Sequence, residues 1–283
     1  MNRSMITATN TMSQLQKQLD IIGQNMSNVS TTGYKRREVN FSELLFQQFN
    51  NQPVDGNDVG RLTPNGIRQG VGAKLGSTNA VFTQGTITTT ERQLDLALTK
   101  EGQFLQVQVE ENGEQVTRYT RDGSLYLSPV GDGSGLVMLV TSEGFPVLDQ
   151  DGAPIAFEDD FSDLTISSTG TIIVKPTNQA DPSEVFELSV VLLHRPQLLE
   201  AKGNNLFALP NLADLNIGVE DVLTLLEGDI REQIGILQGA LEQSNVDLTT
   251  EMSELLVTQR SYQFNAKSIS IADQMMGLVN GIR

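Results

Sequence analysis

The sequence predicts an α+β protein: terminal helices forming a coiled-coil-like layer, plus a central antiparallel β domain. Three observations carry this. Met5, Ala8, Met12, Leu15, Leu19, Ile22, Met26 and Val29 recur at alternating spacings of four and three or three and four, the apolar stripe of a heptad helix. Ile234, Leu241, Leu248, Leu255, Tyr262, Ile269 and Met276 stand seven apart at the other end. Between the two, turn dipeptides recur, mostly at roughly 8–12-residue spacing, the rhythm of an antiparallel sheet.

Taken in order, residues 1–40 form the N-terminal helix. Its stripe runs without a proline and with a single glycine, Gly23. Gly33 supplies the left-handed residue that stops it. Residues 41–72 are an extended connection, because 50–72 are rich in Asn, Gly, Pro and Asp. Residues 73–212 form the β domain. Its turns are expected at Asn112-Gly113, Asp122-Gly123, Asp132-Gly133, Glu143-Gly144, Asp151-Gly152 and Thr169-Gly170. Leu94–Leu98 and Leu105–Val109 alternate apolar and polar residues, as half-buried strands do. Residues 213–283 form a long C-terminal helix packing with the N-terminal one. It starts near Gly228 or Asp229, with a turn or kink around Ser244, Asn245 and Asp247, whose side chains compete for backbone groups. The two stripes can bury each other in a parallel or an antiparallel pair, or pack on other copies. The breadth of the C-terminal stripe points to assembly.

The chain has 283 residues, 19 basic and 35 acidic, for a net charge of −16. Nucleic acid and anionic lipid are therefore poor partners. The charge is uneven: residues 1–69 carry +2, residues 70–210 carry −11 and residues 211–283 carry −7. Cysteine is absent, which excludes a disulfide framework, a thiolate nucleophile and cysteine-based zinc. No apolar run reaches the ~18 residues of a membrane span, so direct membrane insertion is not expected. Residues 1–30 carry only Arg3, Lys17 and Asp20 as charges and no apolar h-region, so no Sec signal peptide is expected.

Catalytic chemistry is sparse. The one histidine, His194, lies in Leu192-Leu193-His194-Arg195-Pro196 without a nucleophile elbow, and reads as the end of a strand. Glu158, Asp159, Asp160 and Asp163 read as a solvated loop, and Asp149–Gly152 lacks the spacing of a calcium loop. Gly70, Gly72 and Gly76 miss the dinucleotide-binding spacing. The expectation is no enzyme, no cofactor, no metal and no catalytic residue.

Two terminal motifs carry a resemblance. Leu19-Asp20-Ile21-Ile22-Gly23-Gln24-Asn25-Met26-Ser27-Asn28-Val29-Ser30-Thr31-Thr32-Gly33-Tyr34-Lys35 resembles the N-terminal signature of bacterial flagellar rod and hook proteins. Gln238 to Asp247, with Gly239, Ser244 and Asn245, resembles the C-terminal signature of that family. So does Gln259 to Lys267, with Arg260 and Asn265. Gln84-Gly85-Thr86, Leu94–Leu98, Gly102-Gln103-Phe104 and Tyr119–Ser124 look like its β domain, and Leu62–Gly72 like the connection of its distal-rod members. The chain departs from that pattern in three places: Gln103 stands where the family usually has an aromatic residue before Phe104, Ser27 and Ser30 replace the common Ala and Asn, and the acidic, apolar stretch Val219–Ile236 is unmatched.

The resemblance implies a structural subunit of the distal rod; the alternatives are a proximal-rod or hook-type axial subunit, or a non-flagellar secreted β-rich surface protein. Its terminal helices would form the inner layer of a hollow axial filament that transmits torque to the hook, with the β domain outside. Its implied partners are copies of itself, other rod and hook subunits and the type III export apparatus. Its implied place is the basal body, outside the cytoplasmic membrane. Asn25, Asn28, Gln259 and Asn265 could set register through buried hydrogen bonds.

Overall fold

A computed structural model describes residues 2–43, 46–49, 67–70, 72–111, 113–131, 135–177, 182–210 and 218–281. The chain forms two compact units. One comprises residues 1–26, 37–79 and 247–283; the other comprises residues 27–36 and 80–246. The division separates charge sharply. The first unit has nine basic and nine acidic residues, whereas the second has ten and twenty-six. The β unit thus holds the whole net charge.

The first unit is built on two long helices, α1 (Asn2–Ser27) and α2 (Leu248–Gly281). It also holds four strands in two antiparallel or paired ribbons. β1 (Arg37–Glu43) pairs with β4 (Ala73–Ala80), and β2 (Phe46–Phe49) with β3 (Ile67–Gly70). The helices run antiparallel. Asn25, near the end of α1, meets Glu251 in the first turn of α2. Met5 and Ile6, near the start of α1, line a cleft with Met276 near the end of α2. Asp247 caps α2, with its carboxylate accepting from Thr249 N–H at 2.9 Å and Thr250 Oγ1 at 2.9 Å.

The second unit is centred on a six-stranded antiparallel sheet. Along the chain its sixteen described strands begin with β5 (Ile87–Thr89), β6 (Leu96–Leu98), β7 (Gln103–Glu111) and β8 (Glu114–Thr120). There follow β9 (Leu125–Pro129), β10 (Leu136–Thr141), β11 (Ala156–Glu158), β12 (Phe161–Ile166), β13 (Thr171–Pro176) and β14 (Glu184–Glu187). The remainder are β15 (Val190–Leu193), β16 (Glu200–Gly203), β17 (Leu206–Ala208), β18 (Leu223–Leu225), β19 (Ile236–Gln238) and β20 (Ala240–Glu242). The large sheet has the order β16-β17-β8-β7-β15-β18; β11-β10-β9 and β12-β13-β14 form smaller sheets, and β19-β6 and β20-β5 form ribbons.

Strand alternation divides the core in two. Leu105, Val107 and Val109 of β7 join Leu125, Leu139, Ile155, Phe157, Ile172 and Leu188 in the main cluster. Phe104, with opposite parity, joins Tyr119, Val191, Leu193 and Phe207 in a second. There Phe82, Phe104 and Phe207 meet edge to face, with centroids 5.3–5.9 Å apart.

Several boundaries differ from the sequence reading. The helix expected over 1–40 ends at Ser27. Asn28 and the Ser/Thr run after it form a turn instead, where Thr31 N–H donates to Asn28 C=O and Thr31 Oγ1 to Asn28 Oδ1. Val29 therefore lies beyond the helix. The connection expected over 41–72 contains strands, paired through partners too distant for local alternation to reveal; residues 50–66 lie outside the described residues. The helix expected over 213–283 begins only at Leu248. Gly228 (φ +54°) and Gly239 (φ +72°) turn the chain left-handed. A side chain at Gly235 would overlap Thr99, so the chain packs closely against its neighbour here. Ile234 instead enters the main core and Leu241 sits on β20. The seven-residue recurrence crosses from strand to helix by coincidence.

Among the expected turns, Gly113, Gly144, Gly152 and Gly170 all have positive φ. Asn112, Asp132 and Gly133 lie outside the described residues. His194 does close a strand, with Nε2 2.9 Å from Thr224 Oγ1 on the neighbouring β18. No helix among the described residues is long and apolar enough to cross a membrane.

Candidate assembly site

Two features stand out, one in each unit. The first is the surface of α2, whose apolar residues fall on two opposite faces. Leu255, Tyr262, Ile269 and Met276 are half-buried, and alternate along one stripe with Glu251, Thr258, Asn265 and Ala272. Of these last four, all but Asn265 are buried. On α1, Ala8, Ile22 and Asn25 are buried, while Met5, Met12, Leu15, Leu19 and Met26 are half-buried. Glu251 is fully enclosed, with its carboxylate 3.2 Å from Asn25 Nδ2. The same asparagine accepts from Arg37 N–H and donates to Arg37 C=O, both at 2.9 Å. Asn25 is thus buried and hydrogen-bonded to both α2 and β1. Gln259 is exposed, and Asn265 donates to Ser261 C=O within its own helix.

The opposite face of α2 carries a second stripe. Val257, Phe264, Ile271 and Leu278 also stand seven apart, and are 63%, 71%, 47% and 70% exposed. Met275 falls on it, and Leu248, Met252 and Leu256 are exposed elsewhere on the helix. The basic side chains Arg260 and Lys267 lie among them, both exposed. The sequence reading registered the width of apolar pattern on this segment but not its division into two faces. The signal was available: the recurrence 257, 264, 271, 278 is as regular as the one that was followed.

The second feature is a buried clasp in the β unit. Glu242, on β20, is enclosed between two cations. Its Oε1 accepts from Lys35 Nζ at 2.7 Å and from Gly85 N–H at 2.9 Å, and its Oε2 accepts from Arg121 Nε at 2.8 Å. All three charged side chains are sealed from solvent. The guanidinium of Arg121 is further held by the carbonyls of Leu98, Lys100 and Gln103, and Lys35 by Thr83 C=O. Burial lowers the Lys35 pKa, and the charge of Arg121 lowers it further, against the opposing pull of Glu242.

The family-motif residues of the β unit lie near this clasp. Gly33 (φ +66°) donates its N–H to Glu242 C=O at 2.9 Å. A Cβ there would lie 2.7 Å from the Arg121 and Asp122 backbone. Thr32 Oγ1 donates to Asp122 Oδ1 at 2.8 Å, and Tyr34 is buried. Asn245 Oδ1 accepts from Arg36 N–H at 2.7 Å, while its Nδ2 donates to Val81 and Thr83 C=O. Ser244 Oγ accepts from Val246 N–H, and Gly239 turns β19 into β20 while accepting from Thr90 N–H. Asn28 caps the turn after α1. The sequence reading singled out Lys35 and Asn245 but not Glu242 or Arg121, whose charged partners lie 121 residues or more away along the chain.

Gln103 and the segment 218–236, both read from the sequence as departures from the family pattern, meet each other. Gln103 is buried, and its Nε2 donates to Gln233 C=O at 2.8 Å while its Oε1 accepts from Gly235 N–H at 3.1 Å. Residues 218–236 supply β18 at the edge of the large sheet. Arg231 pins the segment further through the carbonyls of Leu188 and Thr169. A phenylalanine at 103 would lack the donor and acceptor that this segment takes.

Residues 5–35 match a family described as flagella basal body rod protein. Residues 97–174 match the D1 domain of the flagellar hook protein FlgE/F/G, and residues 237–282 the C-terminal region of flagellar basal body rod FlgEFG proteins. Lys35, Arg121 and Glu242 fall one in each match. Among curated proteins, the chain is 43% identical over 285 residues to flagellar hook-basal body complex protein FlhP of Bacillus subtilis (strain 168), covering all of both chains. It is 32% identical to flagellar basal-body rod protein FlgG of Borreliella burgdorferi, covering all of this chain and 99% of the relative. It is also 32% identical to FlgG of Caulobacter vibrioides, covering 99% of each.

Proposed function

The chain belongs to the flagellar basal-body rod and hook family, and we propose that it is a distal-rod subunit polymerising through its terminal helices into a hollow axial filament that transmits torque to the hook. The observation that carries the reading is the outward stripe of α2. One heptad face of that helix is already taken up within the chain, and the other offers Val257, Phe264, Ile271 and Leu278 to a further helix. Exposing such a stripe in water is costly, so the free chain gains by covering it. The helical unit carries no net charge, so copies can bring these faces together without net repulsion. A contact of this heterologous kind that does not close on itself generates a helical filament.

The partners are copies of the chain and the neighbouring rod and hook subunits, and the route to the growing tip is the flagellar export apparatus. The role is structural, without cofactor or turnover. It is exercised in the basal body, outside the cytoplasmic membrane, with neither nucleic acid nor membrane insertion involved.

The test is removal of the gene followed by electron microscopy of isolated basal bodies, with rescue by wild type or by the Phe264→Asp/Leu278→Asp variant. Short rods without hooks, rescued by wild type and not by the variant, are expected. Complete rods with normal hooks in the deletion strain overturn the distal-rod reading.

A further inference from the structure

Folding sorts the charges of the β unit by sign. The unit holds ten basic and twenty-six acidic residues. Lys35, Arg118, Arg121 and Arg231 are buried, whereas Asp95 and Glu242 are the only buried carboxylates among its described residues. Arg121 is held in part by the carbonyls of Leu98, Lys100 and Gln103, and Arg231 by those of Leu188 and Thr169. A cation held by carbonyls leaves a carboxylate on the surface without a neutralising partner. Glu158, Asp159 and Asp160 are exposed in one place, and Glu227, Asp229 and Glu232 in another.

The helical unit is the reverse case. Its nine basic and nine acidic residues cancel, and its uncovered feature is the apolar stripe Val257, Phe264, Ile271 and Leu278. The two units belong to one chain, so every copy that offers the stripe also brings a net charge of −16. Association through the stripe is driven by apolar burial, which acts only at contact. Repulsion between acidic bodies reaches further. Its range is ~30 Å at 0.01 M salt and ~10 Å at 0.1 M. A large net charge of one sign keeps proteins soluble and monomeric.

We propose that the β unit is an electrostatic brake on polymerisation, holding copies apart at low ionic strength and releasing the stripe to pair when counterions screen its carboxylates. The inference rests on the stripe being the assembly surface, and adds what controls its use. The brake is a property of the whole acidic surface, not of one cluster. Neutralising carboxylates at either exposed place therefore weakens it.

Sedimentation of the purified full chain across a salt series tests this. For wild type, the concentration needed for assembly is expected to fall about tenfold or more between about 20 mM and 300 mM sodium chloride. Two variants, Glu158→Gln/Asp159→Asn/Asp160→Asn and Glu227→Gln/Asp229→Asn/Glu232→Gln, are each expected to assemble at lower salt than wild type. Wild type assembling equally across the series overturns the brake and leaves the stripe reading standing. Unshifted salt dependence in both variants also overturns it, since salt then acts by strengthening apolar contact alone. A shift in only one variant overturns it in favour of a local contact. Phe264→Asp/Leu278→Asp is the control and is expected to stay monomeric throughout. Its assembly alongside wild type overturns the stripe reading, and the absence of wild-type assembly at every salt overturns both.

Discussion

Lys35 Nζ lies 2.7 Å from Glu242 Oε1, with both side chains sealed from solvent and 207 residues of chain between them. The contact joins the N-terminal and C-terminal family motifs inside the β unit, beside Arg121. Its energetics differ from those of a surface pair, because no water screens the three charges.

Glu242 and Lys35 are therefore not equivalent. Glu242→Gln leaves two enclosed cations and is expected to cost ~3–5 kcal/mol, within the range for breaking a buried pair. Lys35→Met leaves Arg121 and Glu242 balanced and is expected to cost no more than ~2 kcal/mol. Urea midpoints of the two full-length variants check the ranking, and equal losses would refute it.

The lowered Lys35 pKa has a consequence for pH. In the unfolded chain Lys35 titrates near 10.5, and in the folded chain it titrates below that because burial and Arg121 disfavour its charge. Across the window between the two values the unfolded state binds more protons, so the Lys35 contribution to stability rises with pH there. Wild type is expected to gain on Lys35→Met as pH rises towards 10.5. Denaturation of both at matched pH values measures the difference, and a gap that narrows or stays constant would refute the cause.

Asp247 governs the start of α2. Hydrogen bonds from Thr250 and Thr249 hold its carboxyl below the usual range. Its contribution is present above about pH 4 and fades as pH falls through the lowered value. Asp247→Ala is expected to fray the first turn of α2, lowering helical circular dichroism and speeding amide exchange at residues 248–252. Unchanged exchange there would show that the cap is dispensable.

Gly85 and Gly113 separate two roles of glycine. A Cβ on Gly85 would overlap the Gln243 carbonyl in the clasp, while one on Gly113 meets nothing within 4 Å but is strained by φ +84°. Gly113→Ala is expected to cost ~1–2 kcal/mol from backbone strain alone. Gly85→Ala is expected to cost more, because the β20 backbone must move. Thermal melts of both variants check the order.

Much of this was legible in the sequence. The stripe from Met5 to Met26 lies on α1, and Leu255, Tyr262, Ile269 and Met276 lie on one face of α2, because a helix repeats its face locally and leaves a period in the sequence. β7 was visible for the same reason, through the alternation of Leu105–Val109. The short strands β11, β16, β18, β19 and β20 were not. Most are three residues long, too short to show a period, and exist because a distant partner pairs with them.

What the sequence determined by itself is the α+β class, the family motifs at both ends and the presence of a repeating apolar pattern in the terminal helices. Only the tertiary structure decided that α1 and α2 run antiparallel, that Ile234 and Leu241 leave the helical stripe for the β unit, and that Val257, Phe264, Ile271 and Leu278 are the face left uncovered. It also decided that Lys35, Arg121 and Glu242 meet. The reason is physical: periodicity records which residues share a face, whereas what covers that face, and which buried charges find each other, depends on contacts between segments far apart in the chain.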